Sequence, residues 1–319
     1  MLARITLLAA ALGFALGASN AGAQTPSGAP SAAATQPAAA AQPLLASTAP
    51  VLWQPSMNVF RRFAVEPEKM YEFYGAVLGF KQLQTLNVSA TNSGGVARFQ
   101  AGAQELKLTR RTPNRHYEPG GVADATGFRL VTFFFADEAA LVSRFVEHGY
   151  PAPQFAAERG SARRTALVQD PDGQAVELVV LANPAPAELA AIEVGLTVAD
   201  LERSRAFYRS FVGLEELPPA EDARFGTKKY SFRHGATTVT LRNFGRALPA
   251  DTGSGGIQYV VSNVDAVAAL AASRAVHVET PLSPPGAGLR TIWLSDPDSI
   301  TNYFAETQQS RASRPQPAP

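Results

Sequence analysis

The chain predicts an α+β fold of four βαβββ units, and three pairs of matching segments carry that prediction. Glu72-Phe73-Tyr74-Gly75-Ala76-Val77-Leu78-Gly79-Phe80 returns as Ala206-Phe207-Tyr208-Arg209-Ser210-Phe211-Val212-Gly213-Leu214. Phe99-Gln100-Ala101-Gly102 returns as Phe232-Arg233-His234-Gly235, and Asp170-Pro171-Asp172-Gly173 as Asp296-Pro297-Asp298-Ser299. The Phe-Tyr and Asp-Pro-Asp segments lie 97 residues apart in the first copy and 89 in the second. Three matches in one order at similar spacing mark a tandem duplication, and repetition settles architecture before residue chemistry does.

Each copy divides again. The first begins with a strand from Val59 to Val65. Pro67 then opens a helix at a position that tolerates its missing N–H. Met70, Phe73, Tyr74, Val77 and Leu78 recur at offsets of three and four, which places them on one helical face. Gly79 stops that helix. Strands are expected over Phe80–Val88, Gly95–Ala101 and Gln104–Thr109. The second half repeats the order: a strand from Gly127 to Phe135, a helix from Asp137 to Glu147 ending at Gly149, and strands up to Ala175–Leu181. Copy two reads alike. A strand over 192–198 precedes Asp200 as helix cap, a helix over 201–212 and a stop at Gly213. A strand over 256–261, a helix over 264–273 and a last strand over 301–305 follow. The Phe-Tyr pairs read as core, because aromatic residues at helical spacing pack inward. The Asp-Pro-Asp segments read as turns, since proline presets φ and the acids bond nearby backbone.

The ends differ from the middle. Arg4, the apolar run Ile5–Leu16 and Ala21-Gly22-Ala23 form the three parts of a secretory signal peptide over 1–23, with cleavage expected after Ala23. The run is shorter than the roughly 20 residues of a membrane span, and no later stretch competes. Residues 24–50 carry no charge and are mostly Ala, Pro, Ser, Thr and Gln, the composition of a disordered linker. The tail 308–319 reads similarly. Two modules, 51–184 and 188–307, lie between. The chain has no cysteine, so disulfides and thiolate chemistry are excluded and stability rests on packed cores. A periplasmic or secreted location follows. The formal net charge is +1, and without a basic block neither nucleic acid nor anionic lipid is an expected partner.

Val198-x-Asp200-Leu201-Glu202-x-Ser204-x-x-Phe207-Tyr208 with Gly213-Leu214 resembles the vicinal oxygen chelate superfamily. So do Phe73-Tyr74-x4-Gly79-Phe80 and Asp170-Pro171-Asp172-Gly173-Gln174-x-Val176-Glu177-Leu178. That superfamily includes glyoxalase I, extradiol dioxygenases, fosfomycin- and bleomycin-resistance proteins and epimerases. The resemblance spans about residues 55–307. It implies that two βαβββ units form one cup-shaped mixed sheet with the site inside. Two cups related by a pseudo-twofold axis are expected, one over about 55–182 and one over 188–307.

Metal-dependent relatives hold a divalent ion by side chains on the first, fifth and eighth strands, usually His, His or Gln, and Glu. In copy one the eighth-strand position is Glu177, which matches. The first-strand position falls on Val59 or Phe60, and the fifth near Leu130. In copy two the positions fall on Glu193, on Gly256 or Gln258, and on Tyr303. The four histidines, His116, His148, His234 and His277, occupy none of them. Glu177 is then the one retained family ligand, and no metal or other cofactor is expected, although a divalent ion stays an alternative. Strand alternation puts Phe60, Arg62 and Ala64 on one face. In a cup made by copy one, Arg62 points toward Glu177, and the guanidinium could anchor a carboxylate or enolate oxygen. Glu193 is a candidate base or a partner of Arg242.

The candidate site residues are therefore Glu177 and Glu193 for catalysis, and Arg62, Phe60, Leu130, Gln258 and Tyr303 for ligand contact. The function expected is capture of a small organic ligand in an apolar cup by an exported protein without a complete metal triad, as a monomer or homodimer. The alternative is a metal-dependent or acid–base enzyme of the same superfamily, a lyase, isomerase or dioxygenase.

Overall fold

A computed structural model describes residues 44–86, 95–158 and 161–314. The expected signal peptide and its cleavage site lie outside the described residues, as does the linker up to residue 43.

The four units appear in order. The first comprises β1 (Asn58–Phe63), α1 (Pro67–Glu72), β2 (Lys81–Leu86), β3 (Val96–Ala101) and β4 (Gln104–Arg110). The second comprises β5 (Gly127–Phe135), α2 (Glu138–Glu147), β6 (Ala156–Ala157), β7 (Arg164–Gln169) and β8 (Ala175–Val180). A short turn of helix, α3 (Pro186–Leu189), joins the copies. The third holds β9 (Ile192–Thr197), α4 (Leu201–Ala206), β10 (Glu215–Glu216), β11 (Ala220–Asp222), β12 (Thr227–His234) and β13 (Thr237–Arg242). The fourth holds β14 (Gly255–Val260), α5 (Val264–Ser273), β15 (Val278–Thr280), β16 (Arg290–Ser295) and β17 (Thr301–Glu306), before a final helix α6 (Gln308–Ala312).

The Phe-Tyr helices behave identically in both copies. Each widens after its first turns, so that Leu78 N–H reaches Phe73 O at 2.9 Å and Gly213 N–H reaches Tyr208 O at 3.1 Å, both five residues back. Widening adds a residue to the buried face of each turn, and Phe73, Tyr74, Phe207 and Tyr208 are all buried. Gly79 and Gly213 then reverse the chain at φ of 82° and 85°, a region in which a side chain is disfavoured. Asp137 and Asp200 cap α2 and α4 by accepting Ala140 N–H at 2.9 Å and Arg203 N–H at 3.1 Å, as expected of acids at that position.

The sheets pair differently from the expectation of one cup per copy. One sheet has eight strands in the order β15-β16-β17-β14-β1-β4-β3-β2, and the other has nine along β10-β12-β13-β9-β5-β8-β7-β6, with β11 beside β12. The eight-stranded sheet thus joins the first unit to the fourth, and the nine-stranded sheet joins the second to the third. The seam of the eight-stranded sheet is β1 against β14, with Asn58 opposite Gln258 and Phe60 opposite Gly256. The other seam is β5 against β9, with Thr132 opposite Glu193. Both cups are therefore shared between the copies. Backbone polar groups at an open sheet edge must find partners, and the partner half of each cup comes from the other copy.

The chain also joins the fold before residue 51. Thr48 is fully buried. Its N–H bonds Phe211 O at 2.9 Å and its hydroxyl donates to Val212 O at 2.7 Å. These contacts satisfy carbonyls that the end of a helix leaves open. The region after 307 is likewise ordered as far as 314. Arg311 and Arg314 reach the buried Glu306 carboxylate at 3.1 and 2.6 Å. The expectation of disorder over 24–50 and 308–319 is corrected for 44–50 and 308–314. The buried Glu306 carboxylate would otherwise keep only Arg290, at 3.7 Å, as a cation, and burying a charge with so little compensation is costly.

Candidate functional site

Strand alternation sorts side chains to two faces of each sheet. Val59 and Phe63 of β1 join the main core, whereas Phe60 packs in a separate cluster with Tyr303, Ala305 and Trp293. Likewise Val131 and Val176 join the main core, while Leu130 and Ala175 form a cluster with Val122, Phe225 and Phe244. These smaller clusters mark the cup faces, opposite the helices.

In the eight-stranded cup, Asn58, Phe60 and Arg62 of β1 share the face with Lys107 of β4, Gln258 of β14, Tyr303 of β17 and Trp293 of β16. Trp293 stacks on Tyr303 with centroids 4.6 Å apart and planes at 14°, and Phe60 sits 5.6 Å from Tyr303. Gly256 makes room for that arrangement, since a Cβ there would fall 2.4 Å from the Phe60 ring. Asn58 Nδ2 donates to Gln258 Oε1 at 3.2 Å, and the Lys107 ammonium donates to the same oxygen. Glu105 lies 3.6 Å from Lys107 and itself accepts from Arg98 Nε and Nη2, one on each carboxylate oxygen. Burial, partly offset by Glu105, lowers the Lys107 ammonium to about 8. Burial, then the like charge of Arg115, lowers the Arg62 guanidinium to about 10. Arg62 donates to Gly253 O at 2.9 Å and lies 4.9 Å from the Phe60 centroid. Among the described residues no carboxylate forms an ion pair with it. Burial and the charge of Glu105 push the Tyr303 hydroxyl well above its usual range, so it stays a neutral donor.

The nine-stranded cup is the acidic one. Thr132 on β5 stands between Glu177 on β8 and Glu193 on β9. With strands about 4.8 Å apart, the two glutamates sit roughly 10 Å apart at Cα. Thr132 donates to Glu177 at 2.7 Å, and Arg224 forms an ion pair with the other oxygen of Glu177. Arg242 bonds Asp222 at 2.8 Å and approaches Glu193 at 3.8 Å. Arg242 Nη1 is buried without a hydrogen-bond partner among the described residues.

Glu177 and Glu193, expected in different cups, are thus brought together with Leu130. Arg62, Phe60, Gln258 and Tyr303 are brought together in the other cup. The expected Arg62–Glu177 approach does not occur, because the two residues belong to different sheets; Arg224 takes the place assigned to Arg62. Sequence reasoning missed Lys107, Trp293 and Arg224. Lys107 and Glu105 alternate with Leu106 and Leu108 along β4, a pattern that fits a solvent-facing strand equally well, so the signal was present but ambiguous.

The Asp-Pro-Asp segments are turns, as expected. Asp170 accepts the N–H groups of Asp172 and Gln174, and Asp296 those of Asp298 and Ile300. Away from both cups, a groove of about 500 Å³ on the outer face runs between Phe207, Arg274, His277 and Asp296.

The family model described as the Glyoxalase/Bleomycin resistance protein/Dioxygenase superfamily matches residues 56–178 and 190–304. The chain belongs to this superfamily. Among solved structures, glyoxalase I from Zea mays is similar with a TM-score of 0.60 at 20% identity, covering 79% of this chain and 92% of that one. A putative dioxygenase from Bacillus subtilis is similar with a TM-score of 0.55 at 15% identity, covering 83% of this chain and 91% of that one. At such identities the likeness speaks for the fold. No curated protein sequence matches the chain. In this superfamily resemblance implies a divalent metal, and the donor sets here do not fit one. An ammonium bonds the Gln258 oxygen in the eight-stranded cup. In the nine-stranded cup Glu177 is engaged by an arginine and a threonine, and an arginine that pairs with Asp222 approaches Glu193. Among the described residues no three His, Cys, Asp or Glu side chains are grouped to hold an ion.

Proposed function

We propose that the protein binds a small organic anion with a flat apolar portion in its eight-stranded cup. The observation that carries this reading is Arg62: a guanidinium 4% exposed that forms no ion pair among the described residues, the nearby Glu279 being engaged by Arg115. Burying a cation without a counter-ion is costly, and a ligand carboxylate or enolate oxygen would supply the missing charge through the guanidinium fork. Phe60, Tyr303 and Trp293 offer the apolar floor, and Gln258 and Asn58 offer amide groups for a second polar atom. In the other cup Glu177 and Asp222 already have arginine partners, so an anion gains less there. The location consistent with the N-terminal sequence is periplasmic or extracellular.

Trp293 reports on this floor. In a W53F background, benzoate and phenylacetate should quench Trp293 fluorescence saturably, and R62M should weaken that binding by about tenfold or more, the effect of one lost charge-assisted pair. Equal affinity in R62M would refute the assignment. An enzymatic reading rests on the paired acids of the nine-stranded cup. It would be favoured if E177Q and E193Q abolished turnover of a ligand whose binding they leave intact.

A further inference from the structure

Lys107 is the group in the eight-stranded cup that anion binding does not use up. It stands beside Phe60 on the neighbouring strand, with Arg62 beside Thr109. That register puts the Lys107 and Arg62 Cα atoms about 8 Å apart, one strand across and two residues along. Arg62 lies over the Phe60 ring, Lys107 is the register partner of Phe60 on the next strand, and the Trp293–Tyr303 stack lies next to Phe60. Lys107 is held by a neutral amide oxygen, Gln258 Oε1, rather than by a tight carboxylate pair. Glu105 waits at 3.6 Å, kept ionised and in place by Arg98.

We propose that Lys107 is an imine-forming amine, and that the cup captures aromatic or unsaturated aldehydes bearing a carboxylate at the far end, the carboxylate on Arg62 and the carbonyl carbon at Lys107 Nζ. This rests on the anion-binding reading for the position of the carboxylate. The chemistry balances without any further reactant. Glu105 accepts a proton from the ammonium, and the freed nitrogen lone pair forms the C–N bond as the carbonyl π pair moves to oxygen. That oxygen takes up a proton from Glu105 and a second from nitrogen and leaves as water, so the product is a protonated imine carrying the lysine's original charge. A surface lysine is almost wholly protonated at neutral pH and lacks a positioned proton acceptor. Desolvation of Lys107 raises its free-amine fraction relative to such a lysine.

The chain contains five lysines, Lys69, Lys81, Lys107, Lys228 and Lys229, so sites of capture are readily mapped. The full chain is incubated at pH 7 with 4-formylbenzoate and cyanoborohydride, and peptides are analysed by mass spectrometry. Lys107 should gain the mass of the aldehyde less one oxygen atom, about tenfold or more faster than the other four lysines. K107R, which keeps the charge, should lose this adduct while still showing benzoate quenching of Trp293. R62M should slow labelling by 4-formylbenzoate but not by benzaldehyde. Uniform labelling of all five lysines, or slowest labelling at Lys107, overturns the proposal. Benzoate quenching with no Lys107 adduct overturns the imine and leaves anion binding standing. An adduct with no benzoate quenching and no effect of R62M keeps the amine role and overturns the carboxylate anchor.

Discussion

At the scale of single residues, the duplicated turns have diverged in how they treat a buried acid. Ala64 N–H bonds Asp172 and Ala199 N–H bonds Asp298, each at 2.8 Å, so the two positions correspond and Arg61 corresponds to Leu196. Arg61 pairs with Asp170 at 3.0 Å, and both side chains are fully buried. Among the described residues Asp296 has no such cation; burial, then the charge of Asp298, push its carboxyl up to about 7. A carboxyl raised in the folded state stabilises below its unfolded value and loses that contribution as pH rises through the folded one. Stability should therefore fall between about pH 4 and pH 7, by at most about 4 kcal/mol from this group. D296N should flatten that part of the profile in urea titrations at several pH values; an unchanged slope would refute the assignment. R61M, by contrast, leaves Asp170 without its cation and should cost about 3–5 kcal/mol. E177Q should cost only about 1 kcal/mol, because its partner Arg224 is partly exposed and can turn to water. Its effect on ligand binding belongs to the nine-stranded cup, not to Arg62.

At the scale of elements, the helices were legible because capping acids, stop glycines and a spacing of three and four are local signals. Asp137, Asp200, Gly79 and Gly213 all act where the sequence places them. The strands of the cup floor were less so. A strand such as β4 shows only alternation, and alternation does not say which face meets solvent and which meets a cup. The segment before β1 was misread for a related reason. Thr48 has the look of linker composition, and its value comes from carbonyls at Phe211 and Val212, over 160 residues away. T48A should destabilise the protein by about 1 kcal/mol, measured by thermal or urea unfolding.

At the scale of the molecule, each copy supplies half of each cup. A fragment comprising 51–184 alone would present β1 and β5 as open central edges and expose the cup clusters. Such a fragment should fail to give a folded monomer, and should either aggregate or pair with a second copy of itself, as size-exclusion chromatography would show. Cleavage of the full chain within 183–190, in contrast, should leave the two pieces associated, because two sheet seams and one continuous core hold them. A stable folded monomer of 51–184 would contradict the shared-cup arrangement.

The sequence by itself determined the duplication, the four βαβββ units, the helix ends and the superfamily, since each rests on local patterns or on motifs at fixed spacing. It also named Glu177, Glu193, Phe60, Arg62, Gln258 and Tyr303, but not Lys107, Trp293 or Arg224. Only the tertiary structure decided which of them meet. Strand pairing between units is set by non-local burial of seams, β1 with β14 and β5 with β9, and no spacing along the chain encodes which edge finds which. That choice joins Glu177 to Glu193 and moves Arg62 beside Tyr303. It also turns Lys107, an ordinary strand lysine on paper, into a buried amine at the floor of a cup.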